Sequence, residues 1–150
     1  MSLTLHRLRG WRAPARFVAS RAALHPPGRF PAWTPTLPAL ARHLLGRRHP
    51  FWKEADRALF VARRAGRDVG RIAAIENRAH TRLHGDATGF FGFFEVADDP
   101  DAAAALVEAA RDWLDERGLE RIRGPVSPSM NYECGCLVEG FDGPNAFLTP

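Results

Sequence analysis

Hydrophobic and polar positions change rhythm several times along the chain, and each change marks an element. Leu3 and Leu5 alternate with Thr4 and His6, the period-two pattern of a strand ending near Leu8. Residues 16–24 read as a short helix, stopped by His25-Pro26-Pro27-Gly28. Phe30-Pro-Ala-Trp33-Thr-Pro35 reads as extended or turning, with aromatic anchors. Thr36-Leu-Pro38 opens a helix to about Leu45, with Leu37, Leu40, Ala41, Leu44 and Leu45 on one stripe and Gly46 as its stop. Residues 58–62 form a strand, residues 64–68 a turn, and residues 69–77 the return of an antiparallel hairpin. Residues 78–86, which include His80, His84 and Gly85, read as a polar connection.

The most apolar run follows. From Thr88 to Val96 the chain carries four phenylalanines, with glycines at 89 and 92. Such a run expects cover on both faces and belongs inside a sheet. Asp99 then stands as an N-cap before Pro100, which suits the first helical position. The spacing of Ala103, Leu106, Val107, Ala110, Trp113 and Leu114 predicts a helix over 100–117, with Glu108, Arg111, Asp112, Asp115 and Glu116 on its wet face. Asp101 complements the helix dipole, and Gly118 closes the helix. Residues 121–125 predict a strand parallel to the apolar one, because a helical crossover joins them. Residues 126–150 are rich in Gly, Pro and Asn and predict no element. The fold class is α/β (α+β), a mixed, mostly antiparallel sheet with flanking helices. The chain reads as a single domain: a basic, Pro-rich helical start (1–53), a core sheet and helix (54–125) and a loop-rich end (126–150).

Charge changes the picture of the first third. The chain has a net charge of +4, yet residues 1–53 contain no Asp or Glu and ten Lys or Arg. Lys53 is the only lysine. A GC-rich coding sequence gives such arginine bias; the sharper reading is an anion-binding arm for nucleic acid, lipid headgroup or a phosphorylated ligand. Prolines at 14, 26, 27, 31, 35 and 38 argue against an amphipathic transit peptide, and no apolar core of a secretory signal follows the start. No apolar segment approaches the roughly 20 residues of a membrane span. A cytoplasmic location follows as the expectation. Cys134 and Cys136 are too close to bridge each other easily and too few for zinc, so free thiols are expected. His80 and His84 have a helical i, i+4 spacing that would suit a metal, but no third ligand is evident, and none is expected.

The order of elements, carried by His49-Pro-Phe-Trp52, Leu59-Phe-Val-Ala62, Gly66-Arg-Asp-Val-Gly-Arg-Ile-Ala-Ala-Ile-Glu-Asn77, His84-Gly-Asp86, Thr88-Gly-Phe-Phe-Gly-Phe-Phe-Glu95, Trp113-Leu to Gly118 and Arg123-Gly-Pro125, resembles the acyl-CoA N-acyltransferase (GNAT) superfamily. It is similar to bacterial GNAT-like proteins in which these residues form the N-terminal part of a longer chain. The resemblance implies acyl transfer from acetyl-CoA or another acyl-CoA to a small-molecule or peptide amine. Against the family pattern the domain reads as incomplete, lacking the further helix and closing hairpin, so a truncated, inactive fragment is a further alternative. The strand holding Phe93, Phe94, Glu95 and Val96 would carry the acyl donor, with backbone N–H groups on the thioester carbonyl. Glu95 would be the general base, its pKa raised by desolvation, with Glu76 a weaker alternative. Tyr132 would protonate the leaving thiolate. Bland readings stand beside these: Glu95 pairing an arginine, Tyr132 in a structural loop, and Trp33, Trp52 and Trp113 as packing anchors. Arg71, Arg78, Arg121 and Arg123 read as a basic floor or, more simply, as solvated strand positions.

One loop departs from the family pattern. Ala97-Asp-Asp-Pro-Asp101 has no glycine and no cation where a pyrophosphate cradle would stand, and Pro100 removes an N–H donor. Like charges about 4 Å apart cost about 4 kcal/mol at an effective dielectric near 20. A second reading is therefore a non-catalytic GNAT-like module packed on a second domain or a homodimer partner, and a third is anion binding through the basic start.

Overall fold

In a computed structural model of the chain, residues 2–26, 28, 34, 37–140 and 143 are described. Five strands form one sheet: β1 (Leu3–Leu8), β2 (Ala55–Arg64), β3 (Arg67–Asn77), β4 (Thr88–Val96) and β5 (Arg121–Arg123). They lie side by side in chain order, β1 to β4 antiparallel, and β5 parallel to β4 with Thr88 opposite Arg121. The sheet is thus mixed and mostly antiparallel, as its hydrophobic pattern predicts.

The two central strands read as continuous apolar runs because both faces are covered. Leu59, Val61, Ala73 and Ile75 point to one side, where they meet Phe17 of α1 (Ala13–Ala19), Leu45 and Trp52. Phe60, Ala62, Ile72 and Ala74 point to the other, against α5 (Pro100–Asp115). Leu106, Ala110, Trp113 and Leu114 are the buried stripe of α5, and Asp99 caps it by accepting from the Ala102 N–H at 3.1 Å.

Several local expectations are corrected. The first predicted helix starts earlier, at Ala13, and is divided at Ser20 into α1 and α2 (Arg21–Leu24). The stripe on α3 (Pro38–Leu44) is largely unused: the helix buries none of its residues, and Leu37 and Leu40 are exposed, with only Leu45 beyond its end entering the core. The polar connection before β4 is a helix, α4 (Arg78–His84), begun by the Asn77 side chain accepting from the His80 N–H. The loop-rich end contains a small antiparallel pair, β6 (Val126–Ser127) and β7 (Glu133–Cys134). The predicted stretch at 30–35, with Trp33, lies outside the described residues apart from Thr34.

Candidate functional site

β4 does not keep its alternation. Ala73 faces Gly92 and Arg71 faces Glu95, so Ile72 alone opposes both Phe93 and Phe94. This is a β-bulge, and Phe93 takes the left-handed backbone conformation at φ 50°. The extra residue reverses the facing of everything after it. Phe90 and Phe93 both pack on the α1 side, whereas Phe91, Phe94 and Val96 pack on the α5 side. Strict alternation from Phe90 would put Glu95 beneath α5; the bulge puts it on the opposite face, beside Arg71.

There Glu95 meets two arginines and a histidine. Arg71 Nη2 donates to its Oε1 at 2.7 Å, Arg21 Nε lies 3.0 Å from the same oxygen, and His25 Nε2 is 2.9 Å from Oε2. Arg71 is fixed in turn, donating to the Phe17 carbonyl at 3.0 Å and lying over the Phe17 ring. Burial pushes the Glu95 carboxyl up, but the His25 hydrogen bond and the charges of Arg71 and Arg21 outweigh it and hold the pKa at about 2. The expected rise toward neutrality is overturned. Desolvation is present, but α2 brings two partners that the sequence does not place next to Glu95.

A second carboxylate shares this charge field. Glu133 of β7 pairs with Ser127 of β6, and Ser127 Oγ accepts the N–H of Phe93, the bulge residue, at 2.8 Å. That contact ties the small hairpin to β4. Burial pushes the Glu133 carboxyl up; Arg21 lowers it, Glu95 raises it and Arg71 lowers it, with a net rise. Two nearby carboxyls are thus driven in opposite directions within one charge field. Glu133 stands with Ser127, Ser129, Asn131 and Tyr132 in the polar run after the last predicted strand, but the sequence assigns it no role of its own, because the segment carries no periodic signal and its partner strand is two residues long.

The approach of β6 to β4 is close. A Cβ on Gly92 would fall 1.5 Å from the Val126 carbonyl oxygen, so only glycine fits there. The N–H of Phe93, one of the β4 donors expected to face a thioester carbonyl, is instead used by Ser127. Tyr132 is half-buried just before Glu133, and its ring meets the His49 ring edge to face at 5.8 Å.

Other singled-out residues do not join this cluster. Glu76 lies 3.8 Å from Arg78 and 3.5 Å from Arg117. Arg71 is buried while Arg121 and Arg123 are exposed, so no basic floor forms. His80 packs against His84 and Phe90 and lies 3.2 Å from Asp86. Among the described residues no group of three His, Cys, Asp or Glu is placed to hold a metal ion. Trp52 and Trp113 are buried packing residues, and Cys134 and Cys136 are free thiols.

The start of α5 is also settled by its neighbours. Arg64 Nε and Nη2 grip both oxygens of Asp99 at 2.7 and 2.9 Å, and Arg64 reaches Asp101 at 3.3 Å. The Arg64 hydrogen bonds hold Asp99 below the usual carboxylate range against some desolvation. A side chain from β2 therefore satisfies this helix start, which makes it a poor fit to a diphosphate.

No family model matches the chain. It is 37% identical over 134 residues to the Escherichia coli K12 protein YghO and 40% identical over 135 residues to the bacterial ceramide synthase of Caulobacter vibrioides. Each match takes in 89% of this chain, which spans about a third of the length of these relatives (34% and 35%). Among solved structures it resembles an aminoglycoside acetyltransferase from a soil metagenome in complex with sisomicin (TM-score 0.54, 15% identity, 83% of this chain and 77% of that one). It also resembles the ribosomal-protein-alanine N-acetyltransferase of Brucella melitensis biovar Abortus 2308 (TM-score 0.51, 20% identity, 81% and 78%). The chain has the fold of the GNAT acetyltransferases.

Proposed function

We propose that this chain, a GNAT-fold unit, is the acyl-transfer core of an enzyme that moves an acyl group from an acyl-CoA to an amine. The observation that carries the reading is the bulge at Phe93, which gathers Glu95, Arg71, Arg21 and Glu133 at the C-terminal end of β4. In the reaction the amine nitrogen attacks the thioester carbonyl carbon. A C–N bond forms, the C–S bond breaks, and the amine gives up a proton. Glu95, held ionised at about 2, is a weak base at neutral pH. Its role is to fix Arg71 and Arg21, while Glu133, pushed up by burial, takes the proton. The backbone of β4 from Phe93 to Val96 runs along the acyl path, and Tyr132, next in chain to Glu133, returns a proton to the leaving thiolate. The acidic start of α5 makes no diphosphate contact in this scheme. The 40% identity to a bacterial ceramide synthase supports a long-chain amine as acceptor, since making a ceramide forms an amide on such a base.

Calorimetric titration with acetyl-CoA and a long-chain acyl-CoA tests donor binding, and thiol release with a long-chain amine tests transfer. Saturable heat and amine-dependent thiol release are the expected results, with Glu133→Gln lowering the release by about a hundredfold or more. No binding of either thioester at high micromolar concentration would overturn the reading. It would favour the non-catalytic module, to which the Ser127–Phe93 contact and the Asp99–Arg64 pair also lend weight.

A further inference from the structure

A groove on the opposite edge of the sheet has a different chemistry. It lies between the end of β1, the start of α1, the turn after α3 and the start of β2, and encloses about 790 Å³. Arg7, Arg9, Arg47, Arg48 and Arg57 line it, against a single acid, Asp56. Among the described residues, the only ion pair joining these arginines to a carboxylate is Arg47 with Asp56, at 4.0 Å. The acid-free first third of the sequence is thus folded so that its arginines converge with one from β2.

Arg57 is the built part of this groove. Its guanidinium lies over the Trp52 ring, 4.3 Å from the ring centre, and Nη2 donates to the Leu45 carbonyl. Its Nε is buried with no partner among the described residues. Burial first, and then the charge of Arg47, lower its pKa to about 10, with Asp56 only partly opposing. A donor held in place beside uncompensated like charge is relieved by an anion. Planar arginine forks match tetrahedral oxyanions better than ammonium groups do. Trp11, 83% exposed at the rim, adds a flat apolar surface beside the charge.

We propose that this groove binds a phosphate-bearing anion, either a soluble polyphosphate or the phosphate headgroup of a lipid. The site is independent of the acyl-transfer reading, because it lies along β1 and β2 while Glu95 lies on β4.

Inorganic pyrophosphate, titrated by calorimetry, probes the soluble arm. Flotation with phosphatidylglycerol vesicles, against phosphatidylcholine vesicles, probes the lipid arm. Saturable binding of pyrophosphate, or recruitment to phosphatidylglycerol vesicles that pyrophosphate reverses, is the expected result. The exposed pair Arg9→Gln/Arg48→Gln should weaken that binding about tenfold or more, as lost phosphate contacts do. The control pair Arg121→Gln/Arg123→Gln removes the same charge outside the groove and should leave it unchanged. Arg57→Lys keeps the charge, loses the fork, and should also weaken binding. No binding of either probe would overturn the proposal. So would equal weakening by the control pair, or a DNA duplex that binds and is not displaced by pyrophosphate.

Discussion

Arg71 and Glu95 face each other across the β3–β4 ladder, joined at 2.7 Å, and they are on the same side of the sheet only because Phe93 is an extra residue in β4. Arg71 is almost fully buried and anchors Glu95 to the carbonyl and ring of Phe17. Replacing Arg71 with Leu takes the most buried partner from the carboxylate and leaves it Arg21 and His25, so the loss should fall toward the low end of the range for a buried pair. Loss of one partner of a buried pair typically costs about 3–5 kcal/mol. Denaturant unfolding of Arg71→Leu should show a loss of that size, and the double variant Arg71→Leu/Glu95→Leu should recover much of it. An additive double variant would mean the two residues are not coupled.

The pH dependence of stability follows from the same carboxyl. Its folded pKa, about 2, lies below the ordinary value of 4.5. The stabilisation is therefore complete above about pH 4.5 and is lost as pH falls toward 2. A shift of this size corresponds to about 3 kcal/mol. Unfolding midpoints measured between pH 5 and 2 should fall steeply in the wild type and less so in Glu95→Gln. Parallel curves would mean that other carboxylates set the acid limb.

Glu133 has the opposite sign. Burial raises its folded pKa above 4.5, so its contribution is most favourable below that value and declines as pH rises through the folded pKa. Glu133→Gln should therefore be at least as stable as the wild type at pH 7, while losing thiol-release activity. A marked loss of stability in this variant at pH 7 would show that the charged form is needed for folding.

Gly92 tests the contact between the small hairpin and β4. A Cβ there meets the Val126 carbonyl at 1.5 Å, a backbone atom that cannot turn aside, whereas at Gly89 it meets the Leu114 side chain at 2.5 Å. Overpacking a tight site commonly costs about 1–3 kcal/mol. Gly92→Ala should sit at or above the top of that range and lose more stability than Gly89→Ala, with amide exchange at Phe93 accelerating as Ser127 moves away. Equal losses at the two positions would show that β6 yields freely.

Much of the fold was legible because its signals are local. The bounds of β4, the Asp99 cap, the buried stripe of α5 and the parallel β5 all follow from periodicity, capping chemistry and crossover geometry. α4 escapes the pattern because a polar seven-residue helix has no apolar stripe; its cues are the Asn77 cap at the start, the left-handed Gly85 at the end and the His80–His84 spacing between them. The stripe of α3 was legible but misleading, since amphipathic spacing does not say whether a core lies beneath it.

The candidate site divides the same way. The sequence alone determined that a carboxylate ends the most apolar strand, that the loop entering α5 is acidic, and that the first third is cationic. What those charges face depends on how distant segments pack together. A single residue inserted at Phe93 chose the side of the sheet for Glu95, α2 delivered Arg21 and His25 to it, and the β6–β7 hairpin added Glu133. Strand and helix patterns repeat over a few residues and can be read one element at a time. An ion's pKa depends on neighbours within a few ångströms, and here those neighbours come from parts of the chain far apart in sequence.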